Sequence, residues 1–315
     1  MIAGNTSAFL TWRTIKGATR GALAAPGSTR GALGTLSTLS TLGTLSAIGW
    51  ASGRRHARAV RPALALAALA LLAGCASAPK TVPLDTSITA QGQNSRVRYI
   101  MLHYTAGDTA RSLKVLSQGQ VSSHYLITDD RAPKVYRLVD ETRNAWHAGD
   151  GSWYGQSWLN TSSIGIEIVN MGPIGTQWQP YSDAQVTLLI RLIREIAARH
   201  DVKPQHIIGH SDASPQRKTD PGPAFPWQKL AQAGIGRWYD TNTVAQFSAN
   251  LAQSGLPDVL WFQRELTRVG YAVPQHGQLD RATINVLAAF QMHYRPARYD
   301  GQPDIETAAI LSALE

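Results

Sequence analysis

The run HSDASPQRKTDPG at 210–222 constrains this chain more than any other stretch. It holds His210 and Asp220 with Lys218 between them, while His103 ends the apolar run RVRYIMLHYT far upstream. Two imidazoles and one carboxylate form a three-ligand zinc set that leaves a fourth position open, the pattern of a catalytic rather than a structural zinc. Zinc lowers the pKa of its bound water to about 7. A lysine beside it can offset the negative oxygen that forms when hydroxide attacks a carbonyl. The chemistry indicated is amide or ester hydrolysis. Each residue also has a plainer reading. A histidine can be an ordinary core or surface residue, and Asp220 before Pro221-Gly222 can simply open a turn.

For the three to meet, the fold must bring distant segments together. The pattern around them predicts a mixed α/β region with short apolar strands near 97–103, 124–128, 135–139, 164–169 and 206–209. His103 at one strand end and His210 just past another converge if those strands are neighbours. Val186, Leu189, Ile190, Ile193 and Ala197 recur at helical spacing and predict a core-packing helix over 183–199. Ser182 followed by Gln185 fits a capping box at its start.

The segments MLHYTAG (101–107), SSHYLI (122–127), AWHAG (145–149), SSIGIEIVN (162–170), IIGHSD (207–212) and RKTDPGPAFPW (217–227) resemble the zinc-dependent N-acetylmuramoyl-L-alanine amidases of the amidase-2 family. Phage T7 lysozyme shares that fold, and within the family the AmiD-type outer-membrane lipoprotein amidases are the most similar branch. The resemblance implies a mixed central sheet flanked by helices, with zinc held by His103, His210 and Asp220. It further implies Glu167 beside the attacking water and Lys218 polarising the scissile carbonyl. Strand alternation sets Glu167 opposite Ile166 and Ile168, which suits either solvent or a cleft. Phage T7 lysozyme has a Tyr where this chain has Ser123, so no catalytic Tyr is carried over. His124, Trp146 and His147 are expected to bind substrate or to support the ligands. Trp153, Tyr154 and Trp158 lie in a Gly/Ser-rich loop, where they either stack on sugars or pack the loop.

Charge excludes one class of partner. Eight of the 30 basic residues lie within 1–74, which has no Asp or Glu; 22 basic and 21 acidic residues remain from Cys75 onward. Nucleic-acid binding has no electrostatic support. The single cysteine, Cys75, rules out an internal disulfide. It follows RRHARAVR and the apolar PALALAALALLAG, the order of a secretion signal over 54–75. Leu72-Ala73-Gly74-Cys75 resembles a lipobox, the alternative being an ordinary signal with a chance Cys. Lipidated Cys75, with Ala76 after it, implies an outer-membrane protein facing the periplasm, anchored rather than inserted. Residues 1–53 form a low-complexity leader with no core-forming pattern. Translation is expected to start downstream of Met1, with Val60 one candidate, and residues 76–94 read as a tether.

After an amidase region over 95–240, residues 250–315 read as a small three-helix domain. LWFQRELTRVGYAVP, LDRATINVLAAFQMHYRP and DGQPDIETAAILSALE resemble the peptidoglycan-binding module of cell-wall hydrolases, the plainer reading being a packing domain. The ligands lie before it, so the chemistry is expected to survive its removal. Two functions are open: a monomeric hydrolase cutting the amide between N-acetylmuramic acid and L-Ala in peptidoglycan or muropeptides, and a non-catalytic peptidoglycan-binding protein on the same fold. The filled ligand positions favour the first. A zinc amidase with a different substrate is opposed by the wall-binding tail.

Overall fold

Strand β1 (Tyr99–Tyr104) is an interior strand of a five-stranded sheet, and both its faces are covered. That explains why YIMLHY reads as an unbroken apolar run rather than an alternating one. The computed structural model describes residues 82–314; the leader, the signal, Cys75 and residues 76–81 of the tether lie outside it. Residues 82–94 are exposed and form no helix or strand.

After β1 come α1 (Thr109–Gln118), β2 (Tyr125–Ile127), β3 (Val135–Arg137) and β4 (Ser163–Ile168). A two-stranded hairpin, β5 (Pro173–Ile174) and β6 (Gln177–Trp178), leads to α2 (Asp183–His200). Strand β7 (Ile207–Gly209) runs directly into α3 (His210–Ala213), and α4 (Trp227–Gln232) follows. The chain ends in α5 (Thr241–Ser254), α6 (Val259–Arg268), α7 (Arg281–Tyr294) and α8 (Ile305–Ala313). The sheet order is β3-β2-β4-β1-β7. All neighbours are parallel except the edge pair β2–β3.

The expected mixed sheet flanked by helices is present. All five predicted strands form within a few residues of their expected bounds. Helix α2 starts with both halves of the Ser182–Gln185 capping box. The α5 helix, the β5–β6 hairpin and α1 were not foreseen.

Alternation along β1 sorts two cores. Ile100 and Leu102 join Ile164, Ile166 and Ile168 of β4 against Val186, Leu189, Ile193 and Ile196 of α2. Tyr99, Met101 and Ile208 face the other way, into one apolar cluster with Phe262, Leu266, Val286, Phe290 and Leu311 of the C-terminal helices. The tail helices therefore cover one face of the catalytic sheet. Among the described residues no helix is long and apolar enough to cross a membrane.

Candidate metal centre and active site

Parallel register builds the site. His103 lies directly beside Glu167, and Leu102 beside Gly209, the residue before His210. Three neighbouring strands thus deliver His103, Glu167 and His210 to the same end of the sheet. Asp220 returns on the following loop, whose closure is fixed by Ser211 N–H donating to the Asp220 carbonyl at 2.8 Å. One donor atom each from His103, His210 and Asp220 lie within 4.8 Å of one another, and all three residues are buried. His103 Nδ1 is 2.8 Å and His210 Nδ1 3.1 Å from the same Asp220 oxygen, Oδ2.

The surrounding hydrogen bonds show what that cluster is built for. The Leu159 carbonyl can only accept, so the Ser163 hydroxyl donates to it and accepts from His147 Nε2–H, 3.2 Å away. Burial first, then the nearby imidazoles, holds the His147 pKa well below the usual histidine value. His147 is therefore neutral, with a bare Nδ1 that accepts from His103 Nε2–H at 3.1 Å. Burial, outweighing the pull of Asp220, lowers the His103 pKa to about 4. A neutral ring with its hydrogen on Nε2 leaves Nδ1 bare. His210 follows the same logic, because its Nε2 donates to the Ala148 carbonyl at 2.9 Å. In the neutral form two bare nitrogens then point at one carboxylate oxygen. Three lone pairs converging in a buried pocket fit a cation, and the donors match those of a zinc site.

Glu167 stands next to this cluster. Burial first, then the charge of Asp220, raises its pKa well above the usual value, with Lys218 opposing. Its Oε2 is buried without a hydrogen-bond partner. Lys218 is partly buried, and its charge acts on both Glu167 and His103.

The three expected substrate-side residues separate. His147 lies behind His103 as its hydrogen-bond partner. It fits because Gly165 has no side chain: a Cβ there would lie 2.5 Å from the His147 ring. His124 is buried, accepting from Gly165 N–H and facing the Arg143 carbonyl, both at 3.0 Å, so its ring is spent on holding the loop. Of the two expected roles, His147 thus takes that of supporting a ligand, and the ring nitrogens of His124 are engaged by the protein rather than open to substrate. Trp146 is 63% exposed and keeps a free face. The loop aromatics separate too: Trp153 is core, whereas Trp158 is 79% exposed.

Sequence reasoning missed the residues that brace the ligands. Asn160 Oδ1 accepts from the backbone N–H of His147 and of Ala148. The Arg217 side chain donates to the Ala148 and Asp150 carbonyls. Asp212 binds Gly209 N–H at 2.7 Å. Asp212 and Arg217 lie within the quoted segments 207–212 and 217–227, but nothing there assigns either of them, or Asn160, this bracing role.

Fold and site together define a class: a mixed α/β protein with a candidate metal triad at the C-terminal ends of parallel strands. Residues 93–223 match the family described as N-acetylmuramoyl-L-alanine amidase, and residues 255–311 match a peptidoglycan-binding domain. The N-acetylmuramoyl-L-alanine amidase AmiD of Escherichia coli is 42% identical over 268 residues, covering 79% of this chain and 95% of that protein. The chain belongs to the N-acetylmuramoyl-L-alanine amidase family. The crystal structure of AmpDh3 from Pseudomonas aeruginosa, in complex with anhydromuramic pentapeptide, superposes with a TM-score of 0.70 at 39% identity, covering 75% of this chain and 97% of that one. That of Escherichia coli AmiD with anhydro-N-acetylmuramic acid-L-Ala-D-gamma-Glu-L-Lys gives 0.67 at 42%, covering 73% and 93%.

Proposed function

We propose that this enzyme is a zinc-dependent amidase that hydrolyses the bond between the lactyl carbonyl of N-acetylmuramic acid and the nitrogen of L-Ala in peptidoglycan or its fragments. The observation that carries the reading is the convergence of two bare imidazole nitrogens and one carboxylate oxygen beside Glu167 and Lys218. Zinc, when bound there, supplies Lewis acidity and makes water available as a nucleophile near neutral pH. His147 and the Ala148 carbonyl hold the two ligand rings in one tautomer and orientation. Glu167, with its unpartnered Oε2, takes the proton from the attacking water and returns it to the departing alanine nitrogen. The Lys218 ammonium offsets charge on the tetrahedral oxygen. Water adds to the carbonyl carbon, the C–N bond breaks, and the products are a muramyl carboxylic acid and a free amine. A non-catalytic binder would have no use for Glu167 and Lys218 beside a complete triad.

The tail supports peptidoglycan as partner. We further propose that Cys75 is lipidated and that the enzyme is a monomer anchored to the outer membrane, facing the periplasm. The support is the order of charged, apolar and LAGC segments in 54–75. The test has two readouts. Purified chain should hold about one zinc by metal analysis, and digestion of purified sacculi should release stem peptides with a free L-Ala amine. Metal-free protein with full activity, or cleavage at another bond, would overturn the assignment.

A further inference from the structure

Asp212 is a buried carboxylate that the reaction does not use, two residues after His210. It accepts three hydrogen bonds. One comes from Gly209 N–H in its own segment at 2.7 Å. The other two come from the C-terminal helical region: Tyr271 O–H at 2.7 Å to Oδ1, and His293 Nδ1–H at 2.8 Å to Oδ2. Both tail residues are themselves locked. Tyr271 is buried and packs edge-on against Trp153 at 4.9 Å. The His293 ring is stacked on Trp227 at 3.8 Å and on Tyr294 at 4.1 Å. Burial first, then the Asp212 charge, raises the Tyr271 pKa well above the usual value, so its hydroxyl remains a donor. His293 Nε2 is buried without a partner, which suits a ring carrying its hydrogen on Nδ1.

We propose that Tyr271 and His293 are positioning residues for the metal centre: through Asp212 they hold the turn of Gly209–Asp212 in the shape that aims His210 Nδ1 at Asp220. Helix α3 is four residues long and cannot hold that shape by itself. Gly209 and Asp212 flank His210, so the ring's direction follows from how this turn is pinned. Both donors lie outside the matched amidase segment, 93–223. The peptidoglycan-binding module is thereby also a part of the catalytic scaffold.

The inference rests on the metal-centre reading above. It is tested by zinc affinity, from competition with a chromophoric chelator, and by the visible spectrum of the cobalt-substituted chain. Tyr271→Phe and His293→Leu should weaken zinc binding roughly tenfold or more, the range seen when a ligand's supporting partner is lost, and should shift the cobalt bands. His293→Asn, whose amide N–H donates from near the Nδ1 position, should restore both. Leu311→Ala, in the tail core and not among the partners of Asp212, should lower the melting temperature and leave zinc affinity unchanged. Folded Tyr271→Phe and His293→Leu proteins with wild-type zinc affinity and cobalt spectrum would overturn the proposal. So would equal zinc loss in Leu311→Ala, which would show a merely structural role. Wild-type protein that binds no zinc overturns the metal centre itself.

Discussion

At the scale of single residues, the site divides into groups that hold the metal and groups that act on the substrate. Glu167 and Lys218 belong to the second kind, since neither lies among the converging donor atoms. Glu167→Gln and Lys218→Ala should therefore keep about one zinc per chain. They should lose roughly 10²–10³-fold in kcat, the usual cost of removing one preorganised stabilising group. Metal analysis and turnover on a soluble muropeptide, measured on the same preparations, check this; full turnover with zinc bound would remove the assigned roles. The ligands and these two groups were legible because their chemistry is in the residue type and the motif: few functions need HSD and KTDPG together with a strand-end histidine. A supporting role for His147 was one of two open readings, but its partner His103 was not legible, nor were the tail partners of Asp212. Those pairings join segments far apart in the chain, which no local window contains.

At the scale of elements, helix α2 and the loop after β3 are joined through Glu141. Burial alone would raise its carboxyl, but hydrogen bonds from Arg199, Tyr125 and His200 outweigh burial and bring the pKa from the ordinary 4.5 to about 2. Tyr125 O–H donates to it at 2.5 Å, and Arg199 makes two contacts, at 2.6 and 3.2 Å. Because the folded pKa lies below the unfolded one, this group stabilises the fold above pH about 4.5 and the contribution is lost as pH falls towards about 2. Melting temperatures measured over that window should fall for the wild-type chain. Glu141→Gln should start lower and show a flatter dependence; an unchanged slope would remove Glu141 from the acid response. Helix α2 was predicted almost to the residue because its apolar stripe and its cap agree. Helix α1 was missed because its short sequence, TARSLKVLSQ, buries only Ser112 and Leu116. The β5–β6 hairpin was missed because strands of two residues carry no period.

At the scale of the whole molecule, the shared apolar cluster changes what truncation should do. Sequence suggests an amidase that tolerates loss of its tail. The structure instead stacks Phe262, Leu266, Phe290 and Leu311 against Tyr99, Met101 and Ile208 of the catalytic sheet. Removing 250–315 would cut through α5 and expose that face. The truncated chain should aggregate or melt well below the full one, and cleavage of soluble and insoluble substrates should fall together. Undiminished cleavage of a soluble muropeptide by a stably folded truncation would show the two cores to be separable. The module's helices were readable from their spacing, but its docking was not, because apolar residues at helical spacing do not reveal which surface they cover.

The interior place of β1 also bears on the time course of folding. Among the described residues it pairs with β4, beginning at Ser163, and β7, beginning at Ile207. No hairpin can nucleate it, and each of its pairings must close a long loop before any ladder bond rewards the loss of chain freedom. His103 thus leaves the ribosome early and waits for its companions until most of the polypeptide has been made. The complete ion cradle can assemble only after β7 has joined β1, and until then a partly folded copy offers the metal at most the local pair His210 and Asp220.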